Sequence, residues 1–210
     1  PDVTLMPGSL TALGECLSDG ADAAVPLILD SREAPQPSLR REPSLPGAIG
    51  DALFGDRWRS RPSALSETVH GIGAYGHPHP VDWATGAVLA IRSDVVKRIG
   101  QWDERRFFMY SEETDYARRI RDAGGIVMFT PAARVGHRAG GSGSSPQLDA
   151  LLEVNKLRYY RKWHGVPATS AFWLILMLRN LARPHRSGSR AAVRALLSAR
   201  ARAELPGGAR

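Results

Sequence analysis

Three carboxylates fall within four residues at Glu112, Glu113 and Asp115, directly behind the aromatic run Phe107-Phe108-Met109-Tyr110 and a serine, Ser111. Carboxyls crowded against one another and against aromatic surface are where a general base can be tuned, because burial and like charge both raise a carboxyl pKa. The same residues satisfy a simpler demand. Ser111 suits a helix N-cap, and the acids would occupy a first turn where the helix dipole favours negative charge. Arg118, Arg119 and Arg121 follow, and Gly124-Gly125 supply a C-terminal stop. A proton-abstracting carboxyl group and a well-capped helix both fit, and the residues alone leave both open.

Other residues with chemistry to offer are sparse. His77-Pro78-His79-Pro80 has the look of a metal tract, but its prolines favour an extended loop. The single cysteine, Cys16, excludes an internal disulfide framework and a cysteine-based zinc site, and suits a small buried position on a helix. A reducing, cytosolic setting fits that usage.

The elements that must position these groups can be read from periodicity. Pro7 opens a helix with Leu10, Leu13, Cys16 and Leu17 at helical spacing, ended at Asp19-Gly20. The continuous apolar run at 23–29 predicts a buried strand. Residues 31–80, rich in Pro, Gly, Ser and Arg, predict a long surface excursion with a short helix near 49–54. Residues 81–92 predict a central strand carrying Gly86, where a ligand or another backbone comes close or the strand bulges. A short helix at 94–99, capped by Ser93 and ended by Gly100, precedes the acidic stretch. A strand at 126–130 follows it, and His137 then leads into a Gly/Ser-rich stretch. Residues 146–163 predict a helix with Leu148, Leu151, Leu152, Asn155 and Tyr159 on one face.

Charge divides the chain. The net charge is +7 over 210 residues, and residues 166–210 carry eight arginines against the single acid Glu204, so the first 165 residues are neutral. No apolar run approaches the roughly 20 residues that span a bilayer. The tail predicts two helical pieces broken at Pro184, an apolar one at 171–178 and an arginine-rich one at 189–203. Apolar and aromatic residues beside arginines suit an in-plane helix on an anionic membrane surface. Packing back onto the domain is the competing reading. Nucleic acid is disfavoured as a partner, because the arginines are confined to the tail with no aromatic-plus-basic base-reading motif.

Several short motifs in order resemble the family 2 glycosyltransferases with the GT-A fold. They are Pro1-Asp2-Val3 with Pro7-Gly8; Pro37-Ser38-Leu39-Arg40-Arg41; Val81-Asp82-Trp83 with Thr85-Gly86-Ala87; Trp102-Asp103-Glu104 with Phe107-Phe108-Met109-Tyr110; Glu112-Glu113-Thr114-Asp115; and Val135-Gly136-His137. Within that family the chain is most similar to the bacterial rhamnosyltransferase and galactofuranosyltransferase branch, which builds cell-wall polysaccharide. The resemblance covers residues 1–165, with residues 166–210 as a basic amphipathic helical tail.

The resemblance implies an α/β fold: an incomplete GT-A, Rossmann-like domain with a mixed central sheet, plus a C-terminal helical tail. It implies an inverting, metal-dependent transfer of a sugar from a nucleotide-diphospho-sugar, a UDP- or dTDP-sugar, to a cell-wall or lipid-linked glycan acceptor at the inner face of the cell membrane. Asp2 matches the end of the family's metal-binding motif and His137 the imidazole that completes the site, for Mn²⁺ or Mg²⁺. Glu113 matches the general base, with Glu112 beside it and Asp115 as the runner-up. Asp82 and Trp83 match residues lining the acceptor and sugar pocket, and Thr85 and Gly86 the floor beneath the donor. The family's N-terminal half, which holds the nucleotide base, has no counterpart here. The chain alone is therefore expected to lack base recognition, and Pro1 in place of an initiator Met leads us to expect a longer parent. The alternative is a non-catalytic, basic, membrane-associated module.

Overall fold

The computed structural model describes residues 3–137 and 145–208. It falls into two compact units. The first comprises Pro1–Glu42, Thr68–Trp102 and Tyr116–Gly141, and the second Pro43–Glu67, Asp103–Asp115 and Ser142–Arg210.

The first unit is built on a mixed five-stranded sheet. Strand β2 (Ala23–Leu29) is buried along its whole length, as its unbroken apolar run requires. It pairs in parallel with the long strand β7 (Val127–His137) and antiparallel with β6 (Ala90–Ile91). On the far side of β7 lies β1 (Val3–Leu5), and β4 (His79–Pro80) also pairs with β7. The register slips at Pro26, which has no N–H to give the ladder. Pro26 faces Thr130 while Leu27 faces Arg134, so β7 bulges there and resumes. The strand expected at 126–130 therefore runs on to His137, carried past Pro131 by its pairing with β2.

Helix α1 (Ser9–Ser18) packs Leu13 with Ala24 and Ala133 against the sheet. The strand expected at 81–92 is two short pieces in different sheets. β5 (Trp83–Ala84) pairs with β3 (Leu39–Arg40), and β6 joins the main sheet, with a turn at Gly86-Ala87 between them. Gly86 thus sits in a turn rather than in a strand. Helix α3 (Ser93–Ile99) ends at Gly100, whose φ of +82° is a conformation that suits glycine.

The second unit is helical. It holds α2 (Leu45–Leu53), capped by the Ser44 hydroxyl accepting from the Gly47 N–H, and α5 (Pro146–Trp163), capped in the same way by Ser145 from Leu148. Helices α6 (Val166–Leu181), α7 (Ser187–Leu197) and α8 (Ala199–Ala203) complete it. The arginine-rich stretch expected as one helix breaks at Ser198, whose hydroxyl caps α8. Leu151, Val154, Phe172, Leu176, Ala192 and Leu196 form the core of this unit. Helix α4 (Glu112–Asp122) is shared. Its first four residues belong to the second unit and the rest to the first. Gly124, at φ +77°, and Gly125 close it by donating to the carbonyls of Arg121 and Ile120.

Candidate active site

The start of α4 is an unusual piece of backbone. Tyr110 and Ser111 both have φ of +69°, the left-handed region that side-chain-bearing residues avoid, at a cost of about 1–3 kcal/mol each. Ser111 precedes the helix as its sequence suggests, and its carbonyl accepts from the Asp115 N–H, but it does so from this kinked conformation rather than an extended one. Asn155, fully buried on α5, holds the kink. Its Nδ2 donates to the carbonyls of Met109 at 2.6 Å and Tyr110 at 3.3 Å. Arg158 in turn donates to Asn155 Oδ1 at 3.0 Å.

Directly after the kink stand Glu112 and Glu113, half-buried, with their carboxyl groups hydrogen-bonded to each other. Burial pushes the Glu112 carboxyl above its ordinary range, opposed by its own backbone N–H and by Glu113. The Tyr110 phenol beside them is pushed up by burial first, then by the charges of Asp149, Glu112 and Glu113. Two carboxyls in mutual contact share one proton and titrate as a pair, leaving one negative charge available at neutral pH.

Asp115 is engaged differently. It is fully buried, with Lys162 Nζ at 2.8–2.9 Å and Trp163 Nε1 at 3.0 Å on its two carboxylate oxygens, and Lys162 also reaches Asp103 at 3.0 Å. That arrangement ties α4 to α5 and leaves no oxygen facing a substrate hydroxyl.

Asp82, Trp83, Thr85, Gly86 and His137 lie in the first unit. Asp82 accepts the Glu42 N–H at 2.8 Å and lies 3.8 Å from Arg121. Glu42 itself pairs with Arg118 and Arg121, further along α4. Trp83 is buried, its indole N–H donating to the Arg41 carbonyl at 2.9 Å, so the sheet core takes up the ring. The Thr85 N–H donates to the Ser38 carbonyl, and Gly86 is exposed. His137 is half-buried at the end of β7, opposite Val3, and its carbonyl accepts from Gln36. Asp2 lies outside the described residues. Among the described residues no group of three or more His, Cys, Asp or Glu is placed to hold a metal ion. Asn155 and Arg158 escaped the sequence reading, although a polar Asn on the apolar face of α5 was the available signal.

No family model matches the chain. It is 34% identical over 149 residues to the N-acetylglucosaminyl-diphospho-decaprenol L-rhamnosyltransferases of two Mycobacterium tuberculosis strains, CDC 1551 / Oshkosh and ATCC 25618 / H37Rv. The matched region is 70% of this chain and 48% of each relative, so the chain spans about half the length of the curated relatives it matches. Identity sustained over that length places this chain in the same glycosyltransferase family as these rhamnosyltransferases.

Proposed function

We propose that this chain supplies the acceptor-activating part of a GT-A, family 2 transferase that moves a sugar, with inversion, from a nucleotide-diphospho-sugar to a lipid-linked diphospho-glycan. The observation that carries the reading is the hydrogen-bonded Glu112–Glu113 pair set behind a left-handed kink. An inverting transfer needs one base, placed to take the proton of the acceptor hydroxyl as its oxygen attacks the anomeric carbon. The pair provides it. One shared proton leaves one carboxylate, and Glu113 receives the acceptor proton while Glu112 and the pinned kink hold it in place. The anomeric carbon–oxygen bond to the diphosphate breaks as the new glycosidic bond forms, so the nucleoside diphosphate departs with the electron pair.

Asp2 and His137 are the residues that would hold a divalent cation. The fit rests on the β1–β7 register, in which Val3, the residue after Asp2, lies opposite His137. Two protein ligands leave the remaining positions to diphosphate oxygens and water, as hard Mg²⁺ or Mn²⁺ prefers. When bound, the cation supplies countercharge to the departing diphosphate.

Glu113→Gln in the full-length protein tests the assignment. Transfer to the lipid-linked acceptor should fall at least a hundredfold, roughly the lower end of what a general base contributes. Nucleotide-sugar binding, followed calorimetrically, should hold. Near-parental turnover in that variant removes Glu113 from the mechanism.

A further inference from the structure

The helical unit contains a cavity of about 830 Å³ whose lining is strongly cationic. Arg158, Arg161 and Lys162 enter it from α5, at a spacing that sets them on one helix face, and Arg105 and Arg106 enter from the segment before α4. Asp103 is the single acid among the lining residues. Lys162 is committed to Asp103 and Asp115, and Arg106 lies 3.9 Å from Asp103. Among the described residues no carboxylate pairs with Arg105, Arg158 or Arg161. Arg158 bonds the neutral Asn155, and burial followed by the charge of Arg202 holds its guanidinium below its ordinary range. Guanidinium groups gathered without counter-charge in a concave site form an anion site, and the planar fork of arginine matches phosphate oxygens.

A second cavity of about 440 Å³ adjoins the first through Arg161, which lines both. Its other walls are largely apolar and include Leu157, Val166 and Trp173. Helix α6, which forms one of those walls, also exposes Val166, Leu174, Leu178 and Leu181. A nucleotide base would need polar edges there, whereas a hydrocarbon chain needs only these surfaces. The cationic cavity is also joined to the base. Arg158 bonds Asn155, and Asn155 holds the kink from which Glu112 and Glu113 project.

We infer that this unit binds an isoprenoid diphosphate, the cationic cavity taking the diphosphate and the adjoining apolar cavity the first part of the hydrocarbon chain. The inference rests on the transfer reading above and deepens it by assigning the anchor of the lipid-linked acceptor to this pair of cavities.

The test is direct binding by the full-length protein with EDTA present and no sugar donor, using inorganic pyrophosphate and farnesyl diphosphate as probes. Farnesyl diphosphate should bind at least tenfold tighter than pyrophosphate. The exposed pair Arg105→Gln/Arg161→Gln should weaken both by about tenfold. Trp173→Ala should weaken farnesyl diphosphate alone. Melting curves and far-ultraviolet dichroism identify any variant that fails to fold, and Arg105→Lys/Arg161→Lys, which keeps the charge, should restore part of the pyrophosphate affinity.

Unchanged affinities in the folded Gln pair overturn the proposal. So does a Gln pair that loses adherence to phosphatidylglycerol vesicles while keeping its farnesyl diphosphate affinity, since the cations would then serve lipid headgroups. Because no donor is present, the two readings fail separately. Variant-sensitive binding without sugar transfer refutes transfer alone, and transfer with variant-insensitive binding refutes the cavity assignment alone.

Discussion

Glu112 keeps its proton to higher pH than a free carboxyl, with burial as the main cause. The sign of the consequence follows from linkage. Above the ordinary value of 4.5 the unfolded chain releases this proton while the folded chain still holds it. Stability from this group is therefore complete below 4.5 and is lost as pH rises through the raised folded value. Glu112→Gln should flatten that part of the profile, so denaturation midpoints of parent and variant should converge toward pH 4.5 and separate above it in favour of the variant. The change also removes a like charge from beside Glu113, so the acid limb of the transfer rate should move to lower pH. Parallel stability curves would show that the carboxyl is no more buried than in the unfolded chain. At this scale the sequence was informative about type and poor about partners. Crowding marked Glu112, Glu113 and Asp115 alike, because like neighbours are visible in the chain. The difference between the Glu pair and Asp115 depends on Lys162 and Trp163, which lie more than forty residues away and meet it only after folding.

Elements whose signals were local were legible, and those settled by pairing were not. Helix α5 carries its cap, its proline and its apolar face within its own residues, and it runs from Pro146 to Trp163 as read. The apolar stretch after Trp83 looked like one strand, yet the turn at Gly86 sends its two ends to different sheets. Only the pairing with β2 carries β7 beyond Pro131. Helix α2 offers a test in which propensity and packing oppose each other. Gly50 lies inside it, and replacing glycine by alanine there should gain about 1 kcal/mol of helix propensity. A Cβ at Gly50 would, however, overlap the carbonyl oxygen of Leu65, a backbone group that no rotamer change can clear. Overpacking of that kind costs about 1–3 kcal/mol. Gly50→Ala should therefore lower the melting temperature, and a rise would mean that the 63–65 turn moves freely away from α2.

The chain as a whole concentrates its +7 net charge in residues 166–210, and no described helix is long and apolar enough to cross a membrane. Part of that charge is internal. Arg179 pairs with Glu153, and Arg202 donates to the carbonyls of Ala195 and Leu196. Helix α6 divides its apolar residues in the same way. Phe172, Leu176 and Met177 are buried, while Leu174, Leu178 and Leu181, spaced four and three apart, are at least half exposed. An exposed leucine row beside arginines suits attachment to the surface of an anionic bilayer, where each basic residue contributes about 1 kcal/mol and screening removes most of that contribution at high salt. The full-length protein should therefore adhere to phosphatidylglycerol vesicles more than to phosphatidylcholine vesicles, and raising the salt should release it. Leu178→Ser/Leu181→Ser should weaken adherence by about tenfold with little change in melting temperature, because these side chains give up water only at the membrane. Adherence that ignores both salt and the two serines would leave the row as ordinary exposed surface and place any membrane contact elsewhere in the protein.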